Sequence, residues 1–274
     1  MLPFYSDMDA RLYLGDVYDV LVELPDGEAD ACVTSPPYLD ARPEYPSPTL
    51  EEWPAIFREL RRVVDGALLV NVGRLWRQGH ELLWWSELIR LAERAGWPLR
   101  DTLVWCKPNA NPIQGNVFTN AHEYIFCFGD GFDPDTVRTP YSPESLARYN
   151  RRFVANAGVK NYERPDHRPE RVGAANESGA RAKSYVEVHT GREKGNPHPA
   201  PMPLELAKHL VALSGGSRVL DPFAGSGTTL IAARALSRQG IGIERDAEYA
   251  KMAVERIGGQ PIEQQSLLAD AGGS

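Results

Sequence analysis

The sequence predicts an α/β fold, with a mostly parallel sheet and helices on both of its faces. Short apolar runs alternate with segments of helical periodicity before about residue 130, and the same alternation returns after about residue 200. A glycine-containing turn directly follows the apolar run Arg218–Asp221, and open α/β sheets place their ligands at such strand ends. The hydrophobic fraction of 42% is sufficient for the core that such a sheet requires.

The first stretch of the chain contains four predicted strands and two predicted helices. The helix Glu51–Val64 has its apolar residues at helical spacing, and the helix Glu81–Ala95 repeats that pattern. The strands are short apolar runs at Ala31–Thr34, Ala67–Val70, Thr102–Trp105 and Tyr124–Phe128.

The last stretch returns to the same alternation. Its predicted strands are Arg218–Asp221 and Gly240–Glu244, and its predicted helices are Leu204–Leu213, Thr228–Leu236 and Ala247–Ile257. We expect the tail, residues 259–274, to be disordered.

The middle stretch, about Phe132–Pro197, is rich in Arg, Asn, Gly and Pro and has little apolar periodicity. It therefore predicts an inserted, loop-rich module. Although the chain carries a net charge of −7, the segment Arg138–Lys194 holds 12 Lys/Arg against 7 Asp/Glu. A basic segment on an acidic chain suits contact with phosphates, and a solvated flexible loop explains it equally well.

The bulk composition excludes several classes of protein. No apolar run reaches the roughly 18 residues of a membrane span, and the first residues lack the basic cluster of a signal peptide. The cysteines, Cys32, Cys106 and Cys127, form no CxxC pair, so we expect neither a disulfide framework nor a zinc site. A protein of the reducing cytoplasm is the expectation.

The turn Asp221–Thr229 (DPFAGSGTT) is the first candidate ligand site. Gly225 and Gly227 allow a tight turn and the close approach of a ligand to the backbone. Glu244 ends the next predicted strand, where an acidic side chain can accept hydrogen bonds from ribose hydroxyls. A P-loop would need a Gly-Lys-Ser/Thr ending and a dinucleotide fingerprint would need GxGxxG, and this turn has neither. A purely structural glycine turn stays open.

The turn Thr34–Tyr38 (TSPPY) is the second candidate site, because it directly follows a predicted buried strand. Its two prolines remove two backbone donors and leave carbonyl groups free to point outward. Ser35 adds a hydroxyl, and Tyr38 adds an aromatic face on which a base can stack. Such acceptors suit an exocyclic amino group whose nitrogen attacks a methyl group. A strand-ending turn with a buried tyrosine is the structural alternative.

Together, the two turns resemble the motifs of the β group of amino-DNA methyltransferases of restriction-modification systems. In that group the catalytic motif, here Thr34–Tyr38, precedes the cofactor motif, here Asp221–Thr229, and a target-recognition region lies between them. The order in this chain agrees. Other segments that resemble the group's motifs are Leu14–Asp16, Trp105–Asn109, His122–Phe126 and His198–Pro203. The resemblance covers most of residues 12–257 and is weakest in the middle stretch.

The resemblance implies a Rossmann-like, S-adenosylmethionine-dependent methyltransferase fold with circularly permuted motif order. It implies a catalytic half (1–131), an inserted target-recognition region (132–197) and a cofactor-binding half (198–258). It assigns catalysis, without a metal, to Ser35, Pro36, Pro37 and Tyr38. The cofactor contacts that it implies are Asp16, Thr34, Asp221, Pro222, Phe223, Ala224, Gly225, Ser226, Gly227, Thr228 and Glu244. Candidate contacts to DNA phosphates, with a solvated surface as the alternative, are Arg148, Arg151, Arg152 and Lys160.

The serine at position 35 indicates the target base. In the resembling family SPPY usually accompanies cytosine N4 and DPPY adenine N6, so we expect methylation of cytosine N4 on a flipped base of double-stranded DNA in a prokaryotic cytoplasm. Adenine N6 stays an alternative, as do a catalytically silent nucleic-acid-binding protein and a methyltransferase that acts on RNA or protein. The resemblance leaves open a homodimer and a cognate restriction endonuclease, and no membrane partner is expected.

Overall fold

The computed structural model describes residues 1–39, 47–110, 117–141, 179–191 and 201–258. In chain order, the strands of these residues are β1 (Tyr5–Ser6), β2 (Ala10–Leu14), β3 (Ala31–Thr34), β4 (Leu68–Val72), β5 (Leu75–Arg77), β6 (His80–Leu82), β7 (Leu99–Cys106), β8 (His122–Phe128), β9 (Tyr185–Glu187), β10 (Arg218–Asp221) and β11 (Gln239–Glu244). The helices are α1 (Val17–Glu23), α2 (Trp53–Val63), α3 (Trp84–Arg94), α4 (Leu204–Leu213), α5 (Thr228–Ala235) and α6 (Ala247–Ile257).

Nine strands form one sheet in the order β1-β2-β11-β10-β3-β4-β8-β7-β9. The pairs from β2 to β4 are parallel, β8 runs antiparallel to both of its neighbours, and β9 is parallel to β7. The predicted α/β class with a mostly parallel sheet is therefore confirmed. Because β3 and β10 are paired, strands from the two ends of the chain lie side by side in the centre of the sheet.

Apolar clusters of helices and strands pack against the sheet, and two of them lie among the described residues. In the larger cluster α1, α2 and α3 pack on alternate residues of the central strands, among them Cys32, Leu68 and Val70. In a separate cluster Leu230 of α5 and the buried residues of α6 pack with Leu12 of β2. The alternation of side chains along each strand thus supplies both helical layers.

Two predicted elements differ from the structure by three residues at one end: the strand predicted at Thr102–Trp105 begins at Leu99, and the helix predicted at Glu81–Ala95 begins at Trp84. Glu81 lies in the hairpin of β5 and β6, where its carboxylate accepts hydrogen bonds from Arg74 at 2.6 and 2.8 Å. Gln78 and Gly79 have φ of 52° and 80°, the positive values that a two-residue hairpin turn requires. The turn therefore competes with the helical pattern and shortens the helix.

A smaller compact unit runs from Pro134 to Ala182, and residues 183–191 belong to the larger unit. Within the smaller unit Pro134–Val137 form a 3-10 helix, and Asp135 pairs with Arg181 at 2.8 Å. The candidate phosphate contacts Arg148, Arg151, Arg152 and Lys160, and the tail from residue 259, lie outside the described residues. The predicted division at residues 132 and 197 stays a prediction. Within the described part of the chain, no helix has the length and apolar character that crossing a bilayer demands.

Candidate active site

The two motif turns lie at the same edge of the sheet. The strands β3 and β10 are parallel neighbours, with Leu220 opposite Cys32, so their carboxyl ends coincide. The hydroxyl of Thr34, which ends β3, donates a 2.7 Å hydrogen bond to Oδ1 of Asp221, which ends β10. This buried contact joins residues 187 positions apart.

The glycine turn is held by its own backbone and by the neighbouring strand. The N–H of Phe223 donates to Oδ1 of Asp221 at 3.1 Å, and the N–H of Gly225 donates to Oε2 of Glu244 at 2.8 Å. Gly225 and Gly227 have φ of 52° and 78°, values that favour glycine. The carboxylate of Glu244 thus fastens the turn to the end of β11 while its side chain lines the cavity described next.

Gly227 meets a packing requirement that the sequence did not reveal. A Cβ atom added to Gly227 would lie 2.9 Å from the Cβ atom of Ala253 on α6. Gly227 is therefore required by helix packing, in addition to its backbone conformation. Arg256, also on α6, donates to the hydroxyl of Ser226 at 3.0 Å and so supports the turn from the same side.

A cavity of about 580 Å³ opens where these segments meet. It lies within the range of roughly 300–1,000 Å³ that is usual for small-molecule sites. Its lining includes the segment after β2, the TSPPY turn and the residues at the carboxyl ends of β10 and β11. The candidate residues in it are Asp16, Pro37, Pro222, Phe223 and Glu244. The structure therefore brings three of the sequence motifs together around one cavity.

The cavity is acidic. Four carboxylate side chains, those of Asp16, Glu51, Glu52 and Glu244, line it together with one guanidinium, that of Arg245. Burial raises the pKa of Asp221, which precedes the cavity residue Pro222, and hydrogen bonds from Thr229, Thr34 and the Phe223 N–H offset this only in part. A negative lining of this kind fits a cofactor that carries a sulfonium cation.

The remaining residues of the glycine turn, Ala224 to Thr228, are buried, and Asp16 is exposed. The side chain of Asp16 accepts a hydrogen bond from the N–H of Tyr18 at 2.9 Å and so caps α1. Of the catalytic candidates, Pro36 is buried, whereas Ser35, Pro37 and Tyr38 are partly exposed. The candidate cofactor residues of the glycine turn are therefore mostly buried, whereas most of the catalytic candidates are partly exposed.

The aromatic ring of Tyr38 is held by close packing. It lies against Trp84, with ring centroids 5.6 Å apart, and a Cβ atom on Gly73 would come within 2.5 Å of it. Trp84 is fastened in turn, because its indole N–H donates to the Gly73 carbonyl at 3.1 Å. The Tyr38 hydroxyl donates to Oε2 of Glu123 at 2.8 Å.

Glu123 lies in a buried polar cluster that the sequence analysis did not identify. Its Oε2 also accepts from the amide of Asn71 at 2.6 Å, and its Oε1 pairs with the ammonium of Lys107. The antiparallel course of β8 brings Glu123, near the start of that strand, beside the end of β4 and the residue after β7. Two polar residues in otherwise apolar strands, Asn71 and Glu123, were the available signal.

Comparisons with known proteins agree with this geometry. A family model for N6 and N4 methyltransferases, described as DNA methylase, matches residues 29–255. The type II methyltransferase M.SmaI of Serratia marcescens is 29% identical over an alignment of 296 positions, which covers 90% of each chain. TTHA0409 of Thermus thermophilus, a DNA modification methylase by its description, was solved with S-adenosyl-L-methionine; it is 26% identical, with a TM-score of 0.58 and coverage of 92% and 95%. The cytosine-N4-specific PvuII DNA methyltransferase shares the fold, with a TM-score of 0.69, 18% identity and coverage of 93% and 88%.

The fold and the cavity therefore define an S-adenosylmethionine-dependent methyltransferase. More narrowly, the chain belongs to the DNA methylase family of N6 and N4 amino-methyltransferases, of the restriction-modification type. The predicted family, the α/β fold of S-adenosylmethionine-dependent methyltransferases and the cofactor are thereby confirmed.

Proposed function

We propose that this DNA methyltransferase transfers the methyl group to the N4 amino group of a cytosine that is extruded from duplex DNA. The observation that carries the proposal is Ser35, which stands at the outward-facing start of the catalytic turn, next to the cofactor cavity. The cytosine-N4-specific PvuII enzyme shares the fold, which supports the chemistry only at the level of architecture.

When bound, S-adenosylmethionine supplies an electrophilic methyl group on its sulfonium. Phe223, Glu244 and Asp16 line the cavity that would hold it. Ser35 and the Pro36 carbonyl accept the two N–H bonds of the target amino group and turn its nitrogen toward the cavity. We assign stacking on the base to the partly exposed face of Tyr38, since its other contacts fix the ring in place.

Adenine N6 is the second candidate, because a hydroxyl and a carbonyl can accept from either amino group and the family includes both activities. A catalytically silent nucleic-acid-binding protein and an RNA methyltransferase remain weaker candidates, since the cofactor cavity and both motifs are intact.

Residues 132–197, which include the basic segment Arg138–Lys194, are our proposed target-recognition region, with Arg148, Arg151, Arg152 and Lys160 as phosphate contacts. We further propose action in a prokaryotic cytoplasm, since the relatives include type II methyltransferases of bacteria such as Serratia marcescens. A cognate restriction endonuclease and a homodimer are parts of the same proposal. Sedimentation would measure the oligomeric state directly.

The deciding experiment incubates the purified protein with duplex DNA and isotopically labelled cofactor, then digests the DNA and identifies the modified nucleoside by mass spectrometry. We expect labelled N4-methylcytosine, and at least a hundredfold less label with Ser35→Ala, whose cofactor affinity should stay unchanged. Labelled N6-methyladenine would replace the cytosine assignment with the second candidate. No label in DNA, with label in RNA, would overturn the proposal of a DNA substrate.

A further inference from the structure

The cluster around Glu123 connects the interior of the sheet to the catalytic turn. Glu123 is 8% exposed and accepts hydrogen bonds from three elements: from Tyr38 after β3, from Asn71 at the end of β4 and from Lys107 after β7. Three donors on two carboxylate oxygens leave the side chain little freedom to rotate. Glu123 therefore forms a fixed point just behind the turn.

The direction of each hydrogen bond determines how Ser35 is oriented. The amide nitrogen of Asn71 donates to Glu123 at 2.6 Å and also to the Ser35 hydroxyl oxygen at 3.3 Å. The amide oxygen of Asn71 is buried and has no partner among the described residues, so the carboxylate of Glu123, rather than a donor to that oxygen, sets the orientation of the amide. One lone pair of the serine oxygen is consequently occupied from the protein side.

The hydrogen bond from Tyr38 to Glu123 bears on the direction of the Ser35 hydroxyl hydrogen. The hydrogen of the Tyr38 hydroxyl is used on Glu123, so the phenolic oxygen can only accept further hydrogen bonds. Burial and the charge of Glu123 raise the pKa of Tyr38, and hydrogen bonds from Ser35 and the backbone of Gly73 act in the opposite direction. In our proposal the serine hydroxyl donates inward to this phenolic oxygen, and its second lone pair is then left for a ligand.

We propose that Glu123 is a positioning residue that, through Tyr38 and Asn71, orients the Ser35 hydroxyl as a hydrogen-bond acceptor for the target amino group. The inference rests on the proposed function. It gives a physical reason why a neutral serine can serve at this position: the hydroxyl presents a lone pair because its hydrogen is committed to a chain that ends on a carboxylate. Tyr38 accordingly has a second role besides contact with the base.

The variant Glu123→Gln tests the proposal, because an amide cannot replace the carboxylate here. Lys107 donates to Oε1, whereas Tyr38 and Asn71 donate to Oε2, so either orientation of a glutamine points its NH₂ group at a donor. We expect kcat to fall at least tenfold while KM for DNA and the cofactor Kd change less than about twofold. The matched control is Glu81→Gln, which breaks the exposed Arg74 ion pair and should leave kcat unchanged.

Tyr38→Phe provides a second variant that keeps the ring and its packing. It removes the path from Ser35 to Glu123 through the phenolic hydroxyl and leaves the path through Asn71 in place. We expect a loss in kcat of similar size, and the double variant Tyr38→Phe/Glu123→Gln should lose clearly less than the product of the two single losses. Multiplicative losses would overturn the relay through Tyr38, as would wild-type kcat in either single variant. A wild-type protein that methylates no DNA would instead refute the proposed function.

Discussion

The central strand pair β3–β10 has an aspartate contact at each end, and the two ends differ in how their charge is compensated. At the amino end Asp30, just before β3, accepts hydrogen bonds from Ser217 and Arg218. At the carboxyl end Asp221 accepts from Thr34 and from the Phe223 N–H. Both contacts join segments about 187 positions apart, so both hold the two ends of the chain together.

The electrostatic outcome is opposite at the two ends. Burial alone would raise the pKa of Asp30, but the hydrogen bonds from Arg218 and the Ser217 backbone outweigh it and lower the pKa to about 2. Burial also acts on Asp221, whose hydrogen-bond donors are neutral, and there it raises the pKa. The amino end is therefore compensated within the fold, whereas at the carboxyl end the ionised form of Asp221 is destabilised beside the cofactor cavity. A buried carboxyl group whose pKa is raised next to a ligand cavity is typical of a functional site.

The substitution Asp221→Asn should separate the effect of this carboxylate on folding from its effect on cofactor binding. Both donors act on Oδ1, which an asparagine retains, so the local structure should persist. Because the folded chain binds the Asp221 proton more tightly than the unfolded chain does, the charge opposes folding at neutral pH. The free energy of unfolding at pH 7 should consequently be equal or higher. Cofactor affinity should fall roughly thirtyfold, since a unit charge facing a cation within protein is worth roughly 2 kcal/mol.

Calorimetric titration with S-adenosylmethionine and chemical denaturation measure the two quantities on the same preparation. Binding of S-adenosylhomocysteine, whose sulfur is neutral, is the control and should weaken much less. If both ligands weaken equally, Asp221 acts through the shape of the turn and the electrostatic contrast between the two strand ends is wrong.

The glycine turn allows a sharper test of whether α6 holds the carboxyl end of the strand pair β3–β10 in place. Gly227→Ala forces a left-handed residue at φ 78° and places a Cβ atom 2.9 Å from that of Ala253. Gly258→Ala has the same backbone problem at φ 87° but no heavy atom within 4 Å. We expect losses in the free energy of unfolding of about 2 and about 1 kcal/mol, respectively, from strain plus overpacking in the first and strain alone in the second. Equal losses in thermal denaturation would show that α6 does not constrain the turn.

The sequence predicted the strand pair itself well, because local patterns encode it. The strands at Ala31–Thr34 and Arg218–Asp221 and the helix at Ala247–Ile257 have the predicted bounds. The short strands β1, β5, β6 and β9 were missed, since two or three residues are too few to show a period of two. The same limit explains why the hairpin of β5 and β6, which shortens the helix predicted at Glu81–Ala95, was not predicted. The five-residue strand β2 and the helix α1 were missed as well.

The sequence indicated both motif turns of the candidate site but not the buried polar side chains that lie behind the catalytic turn. The TSPPY and DPFAGSGTT turns each carry their chemistry in adjacent residues, so one reading of the chain finds both. Asn71, Lys107 and Glu123 are far apart in sequence and meet only because β8 runs antiparallel between β4 and β7. Strand register of this kind depends on long-range packing, which no local pattern contains.

The smallest expected effect concerns Asp30, at the amino end of the strand pair β3–β10. In Asp30→Asn either orientation of the amide places its NH₂ group against a donor, because Oδ2 accepts from Ser217 while Oδ1 accepts from the Arg218 guanidinium. We expect a loss of about 1 kcal/mol at pH 7, reduced by partial solvent screening of the pair, with cofactor affinity unchanged. The folded-state pKa lies near 2, below the usual 3.8, so the contribution of Asp30 is present above about pH 4 and disappears as the pH falls toward 2. Urea denaturation from pH 7 to pH 2 should therefore show the wild-type and variant free energies converging at the acid end, and a constant difference over that range would mean that Asp30 stabilises the pair by its shape and not by its charge.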